Sequence, residues 1–184
     1  MKILLALGNP GSDYAKTRHN VGFMLADAIA KEWNTDFQEK PKFKAMIAET
    51  TQHGEKILIV KPTTFYNNVG ESARAIRDFY KLSNTDILAI HDEMALPLGT
   101  IRTRTGGSDA GNNGIKSLNQ HLGHDYARVR VGIWTEQREH IDAVDYVLGK
   151  INLTSHQQTA LTTQVSAIVS AFVSGGFSAS TYSF

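Results

Sequence analysis

Residues Lys2–Gly11 read KILLALGNPG, a short apolar run followed at once by a turn signal. Because proline stops a strand and glycine permits unusual backbone angles, this stretch predicts a buried strand that leads into a loop. Downstream, a helix is predicted to begin just after His19, because apolar residues recur with the spacing of one helix face. That face comprises Val21, Met24, Leu25, Ala28 and Ile29.

Strands and helices continue to alternate along the chain. Further strands are predicted over 43–51, 56–60, 86–91, 99–104 and 127–134, and further helices from about residue 67, from about residue 115 and from a capping box at 154–158 up to Gly175. The alternation predicts an α/β fold, a single-domain three-layer α/β/α sandwich over residues 1–184 with a twisted mixed, largely parallel sheet. Residues 177–184 are expected to form a loose tail.

Composition excludes several classes of protein. The 184 residues suit one domain, and 41% hydrophobic and 20% charged residues are typical of a globular chain. The absence of cysteine excludes disulfide scaffolds, thiolate zinc sites and cysteine nucleophiles. Neither a signal peptide nor an apolar run of about 18 residues is evident, so we expect a cytoplasmic protein with no membrane partner.

Several familiar catalytic signatures are missing. The glycine-rich stretch Gly106–Gly114 resembles a phosphate-binding loop, but Asn112 and Asn113 replace its lysine and its serine or threonine. No G-x-S-x-G elbow and no G-x-G-x-x-G fingerprint occurs. The histidines lack the H-E-x-x-H spacing of a zinc site, so a metal site is not expected.

His19 and Asp92 are the candidates for proton chemistry. Asp92 follows an apolar strand, where its carboxylate could accept a hydrogen bond from one imidazole nitrogen of His19 and leave the other nitrogen to take a proton from water. Spacing alone favours a simpler interpretation, in which His19 caps its helix and Asp92 caps the next turn. The asparagines Asn9, Asn67 and Asn113 stand at turns and helix starts, where they suit capping, recognition of peptide amides or stabilisation of an oxyanion.

The basic residues indicate a polyanionic partner through their distribution. The 19 lysines and arginines against 18 acidic residues leave a net charge of only +1. The period of two along a strand nevertheless places Arg102 beside Arg104, and Arg128 beside Arg130. Collected on one side of a neutral protein, these cations would form a phosphate-binding face.

In its motifs the chain resembles the bacterial-type peptidyl-tRNA hydrolases, in order and spacing and over nearly its whole length. The matching segments are Leu7–Gly11 with Tyr14, Thr17–Asn20, Lys61-Pro62 with Thr64 and Asn67, His91–Glu93 with Leu96-Pro97, Gly111 with Asn113-Gly114, Arg128 with Arg130, and Tyr146–Lys150. The chain departs from the usual pattern in several places. Tyr66 stands where methionine is usual, Val69 where serine is frequent, and Asn112 where histidine often precedes Asn113. The stretches Asp109-Ala110 and Trp134-Thr135 also differ from the common pattern.

The resemblance implies hydrolysis of the ester between a peptide and the 3′ ribose of tRNA, without a cofactor or metal, by a protein that we expect to be a monomer. Its partner would be the acceptor end of peptidyl-tRNA. The family pattern assigns catalysis to His19, Asp92 and Asn67, and substrate binding to Asn9, Tyr14, Tyr66 and Asn113. It places Arg104 and Arg130 where basic residues hold the 5′ phosphate of the tRNA.

Two other functions fit the same residues. The asparagine-rich loops and basic strands could hold RNA without cleaving it. A related enzyme could keep the fold and cleave a different ester, such as that of a small acyl-nucleoside. Loss of cleavage without loss of RNA affinity in His19→Ala would distinguish an enzyme from a binding module.

Overall fold

A computed structural model describes all of residues 1–184, and it places every strand in one eight-stranded sheet. The strands are β1 (Lys2–Ala6), β2 (Gln38–Lys40), β3 (Ala45–Gln52), β4 (Glu55–Pro62), β5 (Ile87–Pro97), β6 (Thr100–Thr105), β7 (Ala127–Trp134) and β8 (Ser180–Ser183). The helices are α1 (Val21–Glu32), α2 (Val69–Tyr80), α3 (Asn113–Leu122), α4 (Ala143–Leu148) and α5 (Ser155–Val173).

The sheet is mixed, with its parallel strands at the centre. Its order is β2-β3-β4-β1-β5-β7-β6-β8. The pairs β4–β1, β1–β5 and β5–β7 are parallel, whereas every pair outside this central block is antiparallel. The short connections from β2 to β3 and from β3 to β4 explain the antiparallel pairs at that margin, since a parallel return needs a longer crossover.

Alternation along the central strands divides the core between two faces. In β1, Leu4 and Ala6 pack on one side against α1 and α5, while Ile3 and Leu5 pack on the other side against α2 and α3. Strands that are buried on both faces have continuous apolar runs in their sequence, which is why residues 3–7 and 87–90 lack any polar interruption. The result is the three-layer α/β/α arrangement that the alternating pattern predicts.

The carboxyl-terminal residues differ from the expectation of a loose tail over 177–184. Residues Ser180–Ser183 form β8, which pairs antiparallel with β6 from Thr100 to Thr103. Phe177, Tyr182 and Phe184 also pack against the core beneath α5. The aromatic side chains therefore anchor a segment whose small polar residues carry no strong strand signal. None of the helices in the protein is long and apolar enough to cross a bilayer.

The start of α1 is packed tightly against the sheet. A Cβ atom added at Gly22 would lie 2.6 Å from the carbonyl oxygens of both Leu7 and Ile90. The first turn of α1 thus rests on backbone at the carboxyl end of β1 and within β5. This close approach fixes the position of His19, which precedes the helix in a short 3-10 turn over Arg18–Asn20.

Candidate active site

A cleft of about 370 Å³ opens beyond the carboxyl end of β1, where β5 continues past its neighbour. Loops after β1, after β4 and before α3 converge there, as the sequence predicts for the polar ends of neighbouring strands. Of the seven residues that the family pattern assigns to catalysis or substrate binding, six line this cleft, namely Asn9, His19, Tyr66, Asn67, Asp92 and Asn113.

His19 and Asp92 form a hydrogen-bonded pair at the base of the cleft. Nδ1 of His19 lies 3.0 Å from Oδ2 of Asp92, and their side chains are 14% and 3% exposed. A carboxylate can only accept, so Nδ1 carries the proton in the neutral ring. Nε2 then remains an unprotonated base, which suits it to take a proton from water.

Tyr66 contacts both members of this pair. Its hydroxyl donates to Oδ1 of Asp92 at 2.5 Å, and its ring stacks on His19 with 3.5 Å between centroids and 15° between planes. Burial and the neighbouring Asp92 carboxylate raise the pKa of Tyr66 well above its ordinary value. The phenol is therefore a neutral donor at any physiological pH.

Asn9 is held by backbone contacts that leave its amide nitrogen free. Its Oδ1 accepts from the backbone N–H of Tyr66 at 2.8 Å, and its own backbone N–H and C=O are bound by the side chain of Asn20. The amide nitrogen of Asn9 has no hydrogen-bond partner within the protein, and neither do the side chains of Asn67 and Asn113. Three carboxamides in the cleft are thus available to a bound ligand.

An apolar wall bounds the cleft on the side of α4. Val144 and Phe65 are 62% and 60% exposed at its mouth, and Leu148 and Met94 also line it. Exposed apolar side chains gathered around a polar floor are typical of a binding site. Sequence reasoning missed this wall, because α4 has only six residues and too few turns to show a helical repeat.

α4 is tied to the segment that carries His19. Nη1 of Arg18 donates to the carbonyl of Tyr146 at 3.0 Å, and its guanidinium lies 4.0 Å from the centroid of the Tyr146 ring. The backbone N–H of Arg18 donates to Gly149 at 2.9 Å. The contacts of Arg18 with α4 therefore link the segment that carries His19 to the helix that forms the apolar wall.

The remaining candidates lie outside the lining of the cleft. Tyr14 lies in a 3-10 turn after β1.

Arg104 and Arg128 are cross-strand neighbours on β6 and β7, as are Arg102 and Arg130, so all four arginines share one face. Arg130 donates to Glu93 at 3.0 Å, and buried Arg128 donates to the carbonyls of Gly106 and Ser108. Arg102 and Arg104 make no ion pair, so this face carries uncompensated positive charge.

No group of three or more histidine, aspartate or glutamate side chains is placed to hold a metal ion.

Comparisons with known proteins agree on one family. The family model described as peptidyl-tRNA hydrolase matches residues 3–184. A relative named peptidyl-tRNA hydrolase from Gloeobacter violaceus is 45% identical over 159 residues, covering 86% of this chain and 80% of its own, and one from Bacillus subtilis is 47% identical over 150 residues, covering 81% and 79%. The crystal structure of peptidyl-tRNA hydrolase from Acinetobacter baumannii matches with a TM-score of 0.85 and 31% identity, over 95% of this chain and 89% of that one.

Proposed function

The chain belongs to the peptidyl-tRNA hydrolase family, and we propose that its cleft cleaves the ester between a peptide and the 3′-terminal ribose of tRNA. The reaction frees tRNA from abandoned translation products. The observation that carries the proposal is the contact between Nδ1 of His19 and Asp92, which leaves Nε2 as a base inside the cleft. We place the reaction in the cytoplasm, with the protein acting as a monomer.

The mechanism needs one water molecule and one base. Nε2 of His19 removes a proton from water as the water oxygen attacks the ester carbonyl, and the Asp92 carboxylate stabilises the imidazolium that forms. The tetrahedral intermediate then collapses, the bond to the ribose 3′ oxygen breaks, and that oxygen takes the proton back from His19. The products are a tRNA with a free hydroxyl and a peptide carboxylic acid, which loses its proton to solvent.

The unpartnered amides of the cleft supply the other roles. Asn67 donates to the oxyanion of the tetrahedral intermediate or places the attacking water. Asn9 and Asn113 hold the peptide and the terminal nucleotide, and Tyr66 forms the floor beneath them. The three asparagines are supported in these roles because they line the cleft and their amide nitrogens have no acceptor within the protein.

The basic face extends the contact to the body of the tRNA. We propose that Tyr14 lies near the tRNA end and that Arg104 and Arg130 contact its 5′ phosphate. Arg104 is the stronger of the two candidates, since its charge is unpaired, whereas Arg130 already holds Glu93.

The test is release of the blocked amino acid from N-acetyl-aminoacyl-tRNA by the purified protein in the presence of a chelator. We expect cleavage by the wild type and a loss of about 10²-fold or more in kcat for His19→Ala. His124→Ala, a change at an exposed histidine outside the cleft, is the matched control and should cleave normally. A folded wild type that binds tRNA and does not cleave it would favour the RNA-binding function instead.

A further inference from the structure

Both carboxylate oxygens of Asp92 have a side-chain partner. Oδ2 faces His19, and Oδ1 accepts from the hydroxyl of Tyr66 at 2.5 Å. Because Asp92 is only 3% exposed, water has little access to either oxygen. Loss of the Tyr66 hydroxyl would leave a buried carboxylate oxygen without a donor, and a carboxylate held at one oxygen is free to rotate about its last bond.

Tyr66 is itself fixed at three points. Its backbone N–H donates to Asn9, its hydroxyl accepts from Nδ2 of Asn112 at 3.0 Å, and its ring lies against His19. The same Nδ2 is 3.2 Å from the carbonyl of Asp92, and Oδ1 of Asn112 caps α3 by accepting from Ile115. The chain of contacts thus runs from the start of α3 through Asn112 and Tyr66 to Asp92.

The fold leaves room for this arrangement. A Cβ atom added at Gly114, in the first turn of α3, would collide with the Tyr66 ring. Tyr66 is 2% exposed, so its hydroxyl is committed to these internal partners and has no free face for substrate. A methionine at position 66 could donate no hydrogen bond to Asp92.

We propose that Tyr66 is a positioning residue, whose hydroxyl orients Asp92 and whose ring orients His19, with Asn112 holding the hydroxyl in place. The inference rests on the proposed function, since the pair that it orients is the base and its carboxylate. Tyr66 acts through Asp92, so its hydroxyl should matter to kcat only while the carboxylate is present.

Tyr66→Phe tests the hydroxyl while it keeps the stacked ring. We expect kcat on N-acetyl-aminoacyl-tRNA to fall about tenfold, with KM within about twofold of the wild type. In an Asp92→Asn background the same change should lower kcat by less than about twofold. Tyr126→Phe removes an equally buried hydroxyl, one that donates to Asn119 outside the cleft, and should leave kcat unchanged.

Three results would overturn the inference. These are an unchanged kcat in Tyr66→Phe, a rise in KM with kcat preserved, or an equal loss in the Asp92→Asn background, which is what general damage to the fold would produce. Should Tyr66→Phe fail to fold, Asn112→Ser carries the same test, because serine keeps the helix cap and removes the amide donor. It should lower kcat about threefold or more in the wild-type background and not in Asp92→Asn. Failure of the wild type to cleave is a separate result, which would reject the proposed function itself.

Discussion

Nδ1 of His19 lies 3.0 Å from Oδ2 of Asp92, although 73 positions separate the two residues in the sequence. The contact decides which imidazole nitrogen carries the proton. It also depends on two independent elements, since His19 is placed by the turn before α1 and Asp92 by β5.

Asp92→Asn should abolish most of the activity by reversing this tautomer. The new amide donates to Nδ1 of His19, which moves the ring proton to Nε2 and removes the base from the cleft. We expect kcat to fall about 10²- to 10⁴-fold, as such changes do in related catalytic arrangements. Asp125→Asn, at an exposed carboxylate before β7, is the matched control. A kcat close to that of the wild type would contradict the role of Asp92.

Arg104→Gln should weaken binding of full-length substrate and spare a short one. The side chain is half-buried on the basic face and has no carboxylate partner, so its loss should remove one phosphate contact. We expect KM for full-length tRNA to rise and the slope of log KM against log salt to fall by about 0.7 to 0.9. Arg74→Gln, which removes an exposed arginine on α2 away from the basic face, is the control and should leave both quantities unchanged.

A short 3′ fragment of aminoacyl-tRNA separates this role from damage to the cleft. The fragment lacks the 5′ phosphate, so Arg104→Gln and the wild type should cleave it equally well. An equal loss on the fragment would place Arg104 in the structure of the cleft. Preference of the wild type for the fragment over full-length tRNA would favour a different ester as the natural substrate.

Val144→Asp should raise KM through the apolar wall. Val144 is 62% exposed, so the change should alter the free energy of unfolding by less than about 0.5 kcal/mol. A charged side chain there would lose apolar contact with the peptide, worth about 1 to 2 kcal/mol, or roughly 5- to 30-fold in KM. Val144→Ile keeps the wall apolar and should retain the wild-type KM. Equal KM values for all three proteins would remove α4 from the peptide site.

Acid should destabilise the fold through His91. Burial lowers the pKa of His91 from 6.5 to about 4, partly opposed by the carboxylates of Asp92 and Glu93. Between these values the unfolded chain binds a proton that the folded chain does not, so the free energy of unfolding decreases as the pH falls from 6.5 to 4. One such group contributes a slope of up to about 1.4 kcal/mol per pH unit.

His91→Asn tests this slope in urea unfolding at several pH values. The amide nitrogen of asparagine can replace Nδ1 of His91, which lies 2.7 Å from the carbonyl of Asp92, and it does not titrate. The variant should therefore lose less stability than the wild type between pH 6.5 and pH 4. Parallel curves for the two proteins would assign the acid sensitivity to other groups.

Local sequence patterns predict the central layers because burial acts on each element separately. The apolar run of β1 and the helical stripe of α1 each report their own surroundings, and both elements form where the patterns place them. The convergence of Asn9 and Asp92 follows from a general rule about the carboxyl ends of parallel strands. The resemblance to a family also predicts Asn67 and Asn113 as site residues, and both line the same cleft.

The unpredicted features depend on contacts between distant segments. Aromatic residues beside β8 pack against the core under α5, and Arg18 binds Tyr146 of α4 across 128 positions. The bond from Tyr66 to Asp92 likewise has no local signature. The family pattern is broken at position 66, but only the three-dimensional structure shows that the hydroxyl meets Oδ1 of Asp92.

The packing of Gly22 onto Leu7 and Ile90 has a consequence for natural and laboratory variation. In a survey of every substitution along the chain, position 22 should tolerate change as poorly as His19, although residue 22 does not line the cleft. Gly176, where an added Cβ meets only one carbonyl oxygen at 3.7 Å, should accept alanine freely. Intolerance at position 22 would therefore show that the close packing of α1 on the sheet positions the general base. It would also identify an essential residue that takes no part in the reaction itself.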